Sequence, residues 1–154
     1  MLKRILTNAV EWMCMALMVI ISVDLFLGVF SRYVLFKTFL WYDEIARGCF
    51  VWLTCLGAAV GVKRYAHFRL HILVDRMPPR LQQITTVFAF LMIISFALVL
   101  IQQGWGFLEL GKLQQTPVMG LPKIWIYAAL PIGGVLMILY AIAPLWQVLR
   151  GINR

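Results

Sequence analysis

Long apolar runs separated by short polar segments organise this chain. The first extends over residues 10–30 and is interrupted by Asp24, the second over 43–62, the third over 81–108 without a charge, and the fourth over 124–149. Crossing a bilayer takes about 20 apolar residues in a helix. None of the runs alternates with a period of two, and a membrane strand needs only about ten residues, so the pattern speaks against strands. It predicts an all-α integral membrane protein with four transmembrane helices, forming a single membrane domain over 1–154. The third run exceeds what a bilayer needs, which predicts tilt or continuation beyond the membrane.

Composition supports that pattern. Hydrophobic residues make up 63% of the chain, charged residues 13%, and the mean hydropathy is +0.90. Soluble domains hold roughly 45–50% apolar and about 25% charged residues. Four spans within 154 residues leave no room for a soluble catalytic domain.

Charge then orients the spans. The formal charge is +8, from 14 Lys and Arg against 6 Asp and Glu. Lys3 and Arg4 precede the first run, Lys63, Arg64, Arg69, Arg76 and Arg80 fill the second link, and Arg150 and Arg154 follow the fourth run. The other links hold only Arg32 and Lys37, then Lys112 and Lys123, with Arg47 at the head of the second run. The positive-inside rule therefore predicts cytoplasmic termini and a cytoplasmic second link. A nucleic-acid partner would need a contiguous soluble basic surface, which this distribution lacks. The opening Met-Leu-Lys-Arg resembles a signal peptide, but Glu11 and Asp24 interrupt the apolar stretch and no A-x-A site follows. An uncleaved first helix is expected. Trp12, Trp41, Tyr42, Trp105, Trp125, Tyr127 and Trp146 lie near the expected span ends, as interfacial anchors do.

The densest polar chemistry is the patch Trp41-Tyr42-Asp43-Glu44-Ile45-Ala46-Arg47. Asp43 precedes Arg47 by four residues, the favoured order for a helical ion pair, and Glu44 is placed to share the arginine. Acids in a first turn also gain from the helix dipole. A self-satisfied charged cap, a contact with a partner subunit or outside protein, and a proton relay are all compatible with this spacing. Gly57 and Gly61 form a small-xxx-small pair. Gly61 shares a stripe with Asp43, Arg47 and Thr54, with Gly57 at its edge. One face of the second span is thus charged at one end and smooth at the other, and it seeks another helix in this chain or in a second one.

Asp24 lies deep in the first span, and an intramembrane acid is a functional candidate by default. Its structural alternative is pairing with another helix or with Arg32. His67 and His71 stand four apart, a metal-compatible spacing, but they sit among basic residues without a third ligand, so no metal is expected. Leu70, Ile72, Val74 and Met77 alternate with basic residues, which suits a segment lying along the membrane surface. Cys14, Cys49 and Cys55 form no C-x-x-C pair and read as buried, inert thiols. The third link, Gln115 to Lys123, carries Pro117, Gly120 and Pro122 and predicts a rigid, non-helical turn. Pro131 with Gly133-Gly134 predicts a kink early in the fourth span. No G-x-S-x-G, H-E-x-x-H or phosphate-binding loop occurs, and no cofactor is expected.

The charged patch is followed by Trp52, Leu56-Gly57-Ala58-Ala59, His71-x-x-Val74-Asp75, Thr116-Pro117, Leu121-Pro122, Trp125, Tyr127 and Leu130-Pro131-Ile132-Gly133. In this order the chain resembles the small membrane subunit (DctQ-type) of tripartite ATP-independent periplasmic (TRAP) transporters, over nearly its whole length. Asp43 stands where the family pattern carries a second Glu, a conservative departure. The resemblance implies a non-enzymatic subunit in a bacterial or archaeal inner membrane, bound to a large M-type subunit that holds the substrate and sodium sites. It also implies a periplasmic (P-type) binding protein that delivers an organic acid, such as a C4-dicarboxylate or sialic acid. The small subunit would scaffold the large one and help dock the binding protein. On this reading Trp41, Asp43, Glu44, Arg47, Thr54, Gly57 and Gly61 are the partner-binding residues, with lipid around them. No substrate or ion ligand carries over. Rival readings are a membrane redox or enzyme subunit using Asp24 or the histidines, and an autonomous homo-oligomeric transporter.

Overall fold

A computed structural model describes residues 2–37, 39–67 and 79–149. They form α1 (Leu2–Tyr33), α2 (Trp41–His67), α3 (Pro79–Leu113), the short α4 (Ile124–Tyr127) and α5 (Ala129–Leu149). Four segments are long and apolar enough to cross a membrane: Ala9–Tyr33, Trp41–Arg64, Ile84–Leu113 and Ile124–Trp146. All four expected spans are present. The third helix runs to Leu113 rather than stopping at Leu108, because Glu109 and Lys112 are exposed and cost the helix nothing there. The basic link at 68–78, with His71 and the expected surface segment, and the basic tail at 150–154 lie outside the described residues.

The fourth span lacks a helical bond where Pro131 dictates. A proline has no N–H to bond the carbonyl four residues back, and its ring crowds that carbonyl. Here that residue is Tyr127, and α4 ends on it. The chain passes through Ala128 and restarts as α5, with Ile132 N bonded to Ala128 O at 3.3 Å. Ala128 keeps helical dihedrals and donates to Ile124 O at 2.9 Å, so the helical path continues and Pro131 marks it by the missing bond to Tyr127.

The spans stand in the order first, second, fourth, third: α1 packs on α2, α2 on α5, and α5 on α3. Ala59 and Val62 of α2, Phe90 and Ala97 of α3, and Met137, Tyr140 and Ala141 of α5 form one buried cluster. Val10, Leu56 and Val60 form a second, between α1 and α2. Helices in lipid gain little from burying apolar surface, so close backbone approach through small residues carries the packing. Gly133 and Gly134 serve two neighbours at once. A Cβ at Gly133 would stand 2.7 Å from Cys55 Cβ on α2, and one at Gly134 would stand 3.0 Å from the Ala97 carbonyl on α3. Gly104 and Gly111 of α3 press in the same way on Pro131 and on Ile124.

Two polar contacts tie the row together at its ends. Trp52 Nε1 on α2 donates to the Trp125 carbonyl at 3.0 Å. At the opposite end Lys63 Nζ meets Glu11 Oε1 at 2.7 Å, with Arg64 at 3.8 Å from Oε2, which clamps α1 to α2.

Gly133→Ala should therefore lower thermal stability in mild detergent by about 1–3 kcal/mol, the usual cost of overpacking. Gly106→Ala, at a position where a Cβ meets nothing within 4 Å, should leave it unchanged. Size-exclusion profiles after a heating series measure both.

Candidate partner interface

The end of the row that carries Asp43 and Glu44 is built around a hairpin. Beyond α3 the chain reverses through an antiparallel bridge between Gln115 and Pro122. Thr116 N donates to Leu121 O at 2.8 Å, Gly120 N to Thr116 O at 3.0 Å, and Lys123 N to Gln114 O at 2.9 Å. Leu121 N donates to the Thr116 hydroxyl at 3.0 Å. Gly120 takes φ +65°, a conformation glycine adopts without strain, and so closes the turn. This leaves the amides at the tip, Val118 and Met119, in need of acceptors. Glu44 supplies both: Oε1 accepts from Val118 N at 2.8 Å and Oε2 from Met119 N at 3.1 Å. The rigid turn expected from Pro117, Gly120 and Pro122 is present, and a side chain from the first turn of α2 holds it.

That use of Glu44 changes the reading of its neighbours. The expected ion pair between Asp43 and Arg47 is absent among the described residues, and Glu44 makes no ion pair with Arg47. The backbone amides of the hairpin are fixed donors already aimed at Glu44, whereas Asp43 and Arg47 lie on the exposed side of α2. The self-satisfied cap is therefore not what forms.

Asp43, Arg47, Thr54 and Gly61 are exposed together, and Gly57 is half-buried at the edge of their stripe. Thr54 Oγ1 turns back on its own helix and donates to Phe50 O at 2.8 Å. A Cβ at Gly57 or Gly61 would meet nothing within 4 Å. Among the described residues no helix covers this stripe. Trp41 packs against Tyr42, with ring centroids 3.8 Å apart and planes tilted by 33°, at the head of the same helix. Between the stripe and the hairpin runs a groove of about 370 Å³ lined by Leu40, Asp43, Arg47, Val51, Val118 and Lys123. Glu44 forms part of its wall and of a second, apolar groove of about 440 Å³ reaching Leu17, Trp52 and Trp125.

Asp24 sits elsewhere, at the seam of α1 and α2, and is 7% exposed. Its Oδ2 has no hydrogen-bond partner among the described residues. It does not pair with Arg32, which is exposed; the charged group within its electrostatic range is another acid, Asp43. One turn further along α1, Gly28 lets Tyr42 approach to 3.6 Å of where its Cβ would be. Ser31, 3% exposed, donates to Lys37 O at 2.7 Å and fixes the exit from α1.

Cys14, Cys49 and Cys55 are free and half-buried, and no metal-ligating cluster occurs among the described residues. Sequence reasoning passed over Glu11, noting it only as an interruption of the first apolar run. Its signal was available: an acid near the start of one span and Lys63 at the end of the next meet when the two helices run antiparallel.

The family profile for the DctQ component of tripartite ATP-independent periplasmic transporters matches residues 21–151. The chain is 22% identical over 150 residues to the sialic acid TRAP transporter small permease protein SiaQ of Vibrio cholerae, covering 97% of this chain and 87% of that one. It is 26% identical to the C4-dicarboxylate TRAP transporter small permease protein DctQ of the same organism, covering 82% and 65%. It is 31% identical over 102 residues to the isethionate TRAP transporter permease protein DctMQ of Oleidesulfovibrio alaskensis, covering 63% of this chain but only 16% of that much longer one. The chain belongs to the DctQ family of TRAP transporter small permease subunits, multi-pass membrane proteins of transport rather than enzymes.

Glu44→Gln keeps the side-chain shape and removes the charge that both hairpin amides face. Hydrogen exchange should then accelerate at Val118 and Met119 and stay unchanged at the α3–α5 seam. Equal protection at the two amides would contradict the anchoring role.

Proposed function

We propose that this chain is the scaffold on which the large, sodium-coupled permease subunit of a TRAP transporter is held, and that it helps dock the periplasmic binding protein which delivers an organic acid. The observation that carries this reading is the uncovered α2 stripe, which leads from Gly61 and Gly57 to the charged groove beside the Glu44-anchored hairpin. Small subunits of this family work with a large permease subunit, and the DctMQ relative joins small-subunit sequence to a much longer permease polypeptide.

On this proposal the smooth part of the stripe meets a helix of the large subunit, with Thr54, Gly57 and Gly61 allowing close approach. Trp41, Asp43 and Arg47 lie at the polar end, where complementary charge can orient a soluble partner. Glu44 acts by fixing the hairpin beside them. The basic residues Lys63 and Arg64 at the far end of α2 support a cytoplasmic placement for that end and for both termini, with the hairpin on the periplasmic side of an inner membrane. The chain acts as one membrane domain and holds no substrate itself. The named relatives carry sialic acid, C4-dicarboxylate and isethionate in their names, a spread that suits a subunit indifferent to the cargo.

Affinity capture of the tagged chain from its native membrane, followed by mass spectrometry, tests the reading. A much larger multi-span protein in about equal amount is the expected result; recovery of this chain alone or as a homo-oligomer contradicts it. Gly57→Leu and Gly61→Leu should lower recovery of the large protein several-fold while the chain stays folded, since a Cβ at either position meets nothing within 4 Å. Replacing Asp43, Glu44 and Arg47 together by alanine should impair organic-acid uptake; normal uptake would remove the cluster from docking and assembly.

A further inference from the structure

The third span carries a second uncovered face, on which polar positions stand among the exposed apolar side chains of Phe88, Leu91 and Leu113. Ser95, Gln102, Gly106 and Glu109 are all exposed. At 3.6 residues per turn, positions 7, 11 and 14 beyond Ser95 fall within about 60° of arc. They form one ridge along α3. The opposite side of the helix is the packed one, where Gly104 and Gly111 press on Pro131 and Ile124. Gly106 faces the other way, and a Cβ there would meet nothing within 4 Å.

The ridge lies at membrane depth. Gly104 is level with Pro131, and Ile101 touches the position of Gly134. These residues are seven and ten positions into the span that starts at Ile124, so Gln102 sits about 10–15 Å below that end at the helical rise of 1.5 Å per residue. Lipid tails offer a carboxamide no hydrogen bond, and an unsatisfied polar group in hydrocarbon costs several kcal/mol. The side chains of Ser95 and Gln102 make no hydrogen bond to another described residue, and Glu109 makes no ion pair among the described residues.

We propose that this ridge is a helix–helix interface with the large permease subunit. The partner is a transmembrane helix that brings hydrogen-bonding side chains to Ser95 and Gln102, passes close at Gly106, and places a Lys or Arg opposite Glu109. A second copy of this chain fits less well. Two copies inserted the same way and related by a two-fold axis along the membrane normal would set Glu109 against Glu109, a like-charge contact at the membrane boundary. The proposal rests on the subunit role above and adds to it a second contact, on the edge helix of the row rather than on α2.

A photo-crosslinking amino acid placed at Gln102 in the native membrane tests it, alongside affinity capture of the unmodified chain. A crosslink to the large permease subunit is expected, and Gly106→Leu should cut recovery of that subunit by about threefold or more. A crosslink between two copies of this chain, or no protein adduct while the unmodified chain still recovers the large subunit, would overturn the ridge assignment and leave the subunit role standing. Failure of the unmodified chain to recover any large subunit would overturn the subunit role and the ridge with it.

Discussion

Hydrocarbon offers a polar group no partner and gives two packed helices little for hiding their apolar sides. What holds helices there is close contact through small residues and the few hydrogen bonds the chain makes for itself. This protein uses both sparingly. Gly133 and Gly134 seat α5 between α2 and α3, and Gly104 and Gly111 let α3 lie against the fourth span. Glu11 with Lys63 closes one end, and Trp52 with the Trp125 carbonyl ties α2 to the other. The spans stand in a row rather than around a shared centre, so each helix keeps a side free. Large side chains such as Met18, Phe26, Phe50 and Trp105 point out of the row, as they do where lipid or another chain is the neighbour.

Much of this was legible in the sequence, for physical reasons. Span length and number follow from apolar runs, because backbone satisfaction in lipid leaves helices as the solution for such runs. The rigid turn at Pro117–Pro122 and the missing bond ahead of Pro131 follow from local backbone chemistry. The wheel of α2 correctly grouped Asp43, Arg47, Thr54 and Gly61. What the sequence could not show was where Glu44 would spend its acceptors. Two tip amides 74 and 75 residues away outcompete an arginine three residues on, and no local rule announces that. The order of the spans was equally hidden, since it depends on which glycines meet which neighbour. The ridge on α3 was missed because an uncharged run invites no search for polar pattern, although Ser95, Gln102 and Glu109 were in plain view.

The functional reading grows from what is left uncovered. A membrane protein whose polar and small-residue faces all turned inward would have little to offer a partner. Here one stripe on α2 and one ridge on α3 remain open, and the hairpin beside the first is fixed by Glu44. Asp24 is enclosed at the α1–α2 seam, within electrostatic range of Asp43 at the head of the open α2 stripe. The occupant proposed for these faces is the large permease subunit, with which small subunits of the DctQ family work.

The central claim is that this row of helices is completed by a second chain. The most direct measurement compares the melting temperature of the purified chain alone with that of the same chain co-purified with the large permease. Binding to the folded state alone raises apparent stability, so the account predicts a clear rise and earlier aggregation of the lone chain. Equal melting temperatures, with the lone chain monodisperse, would mean that the row is complete by itself and would contradict the account.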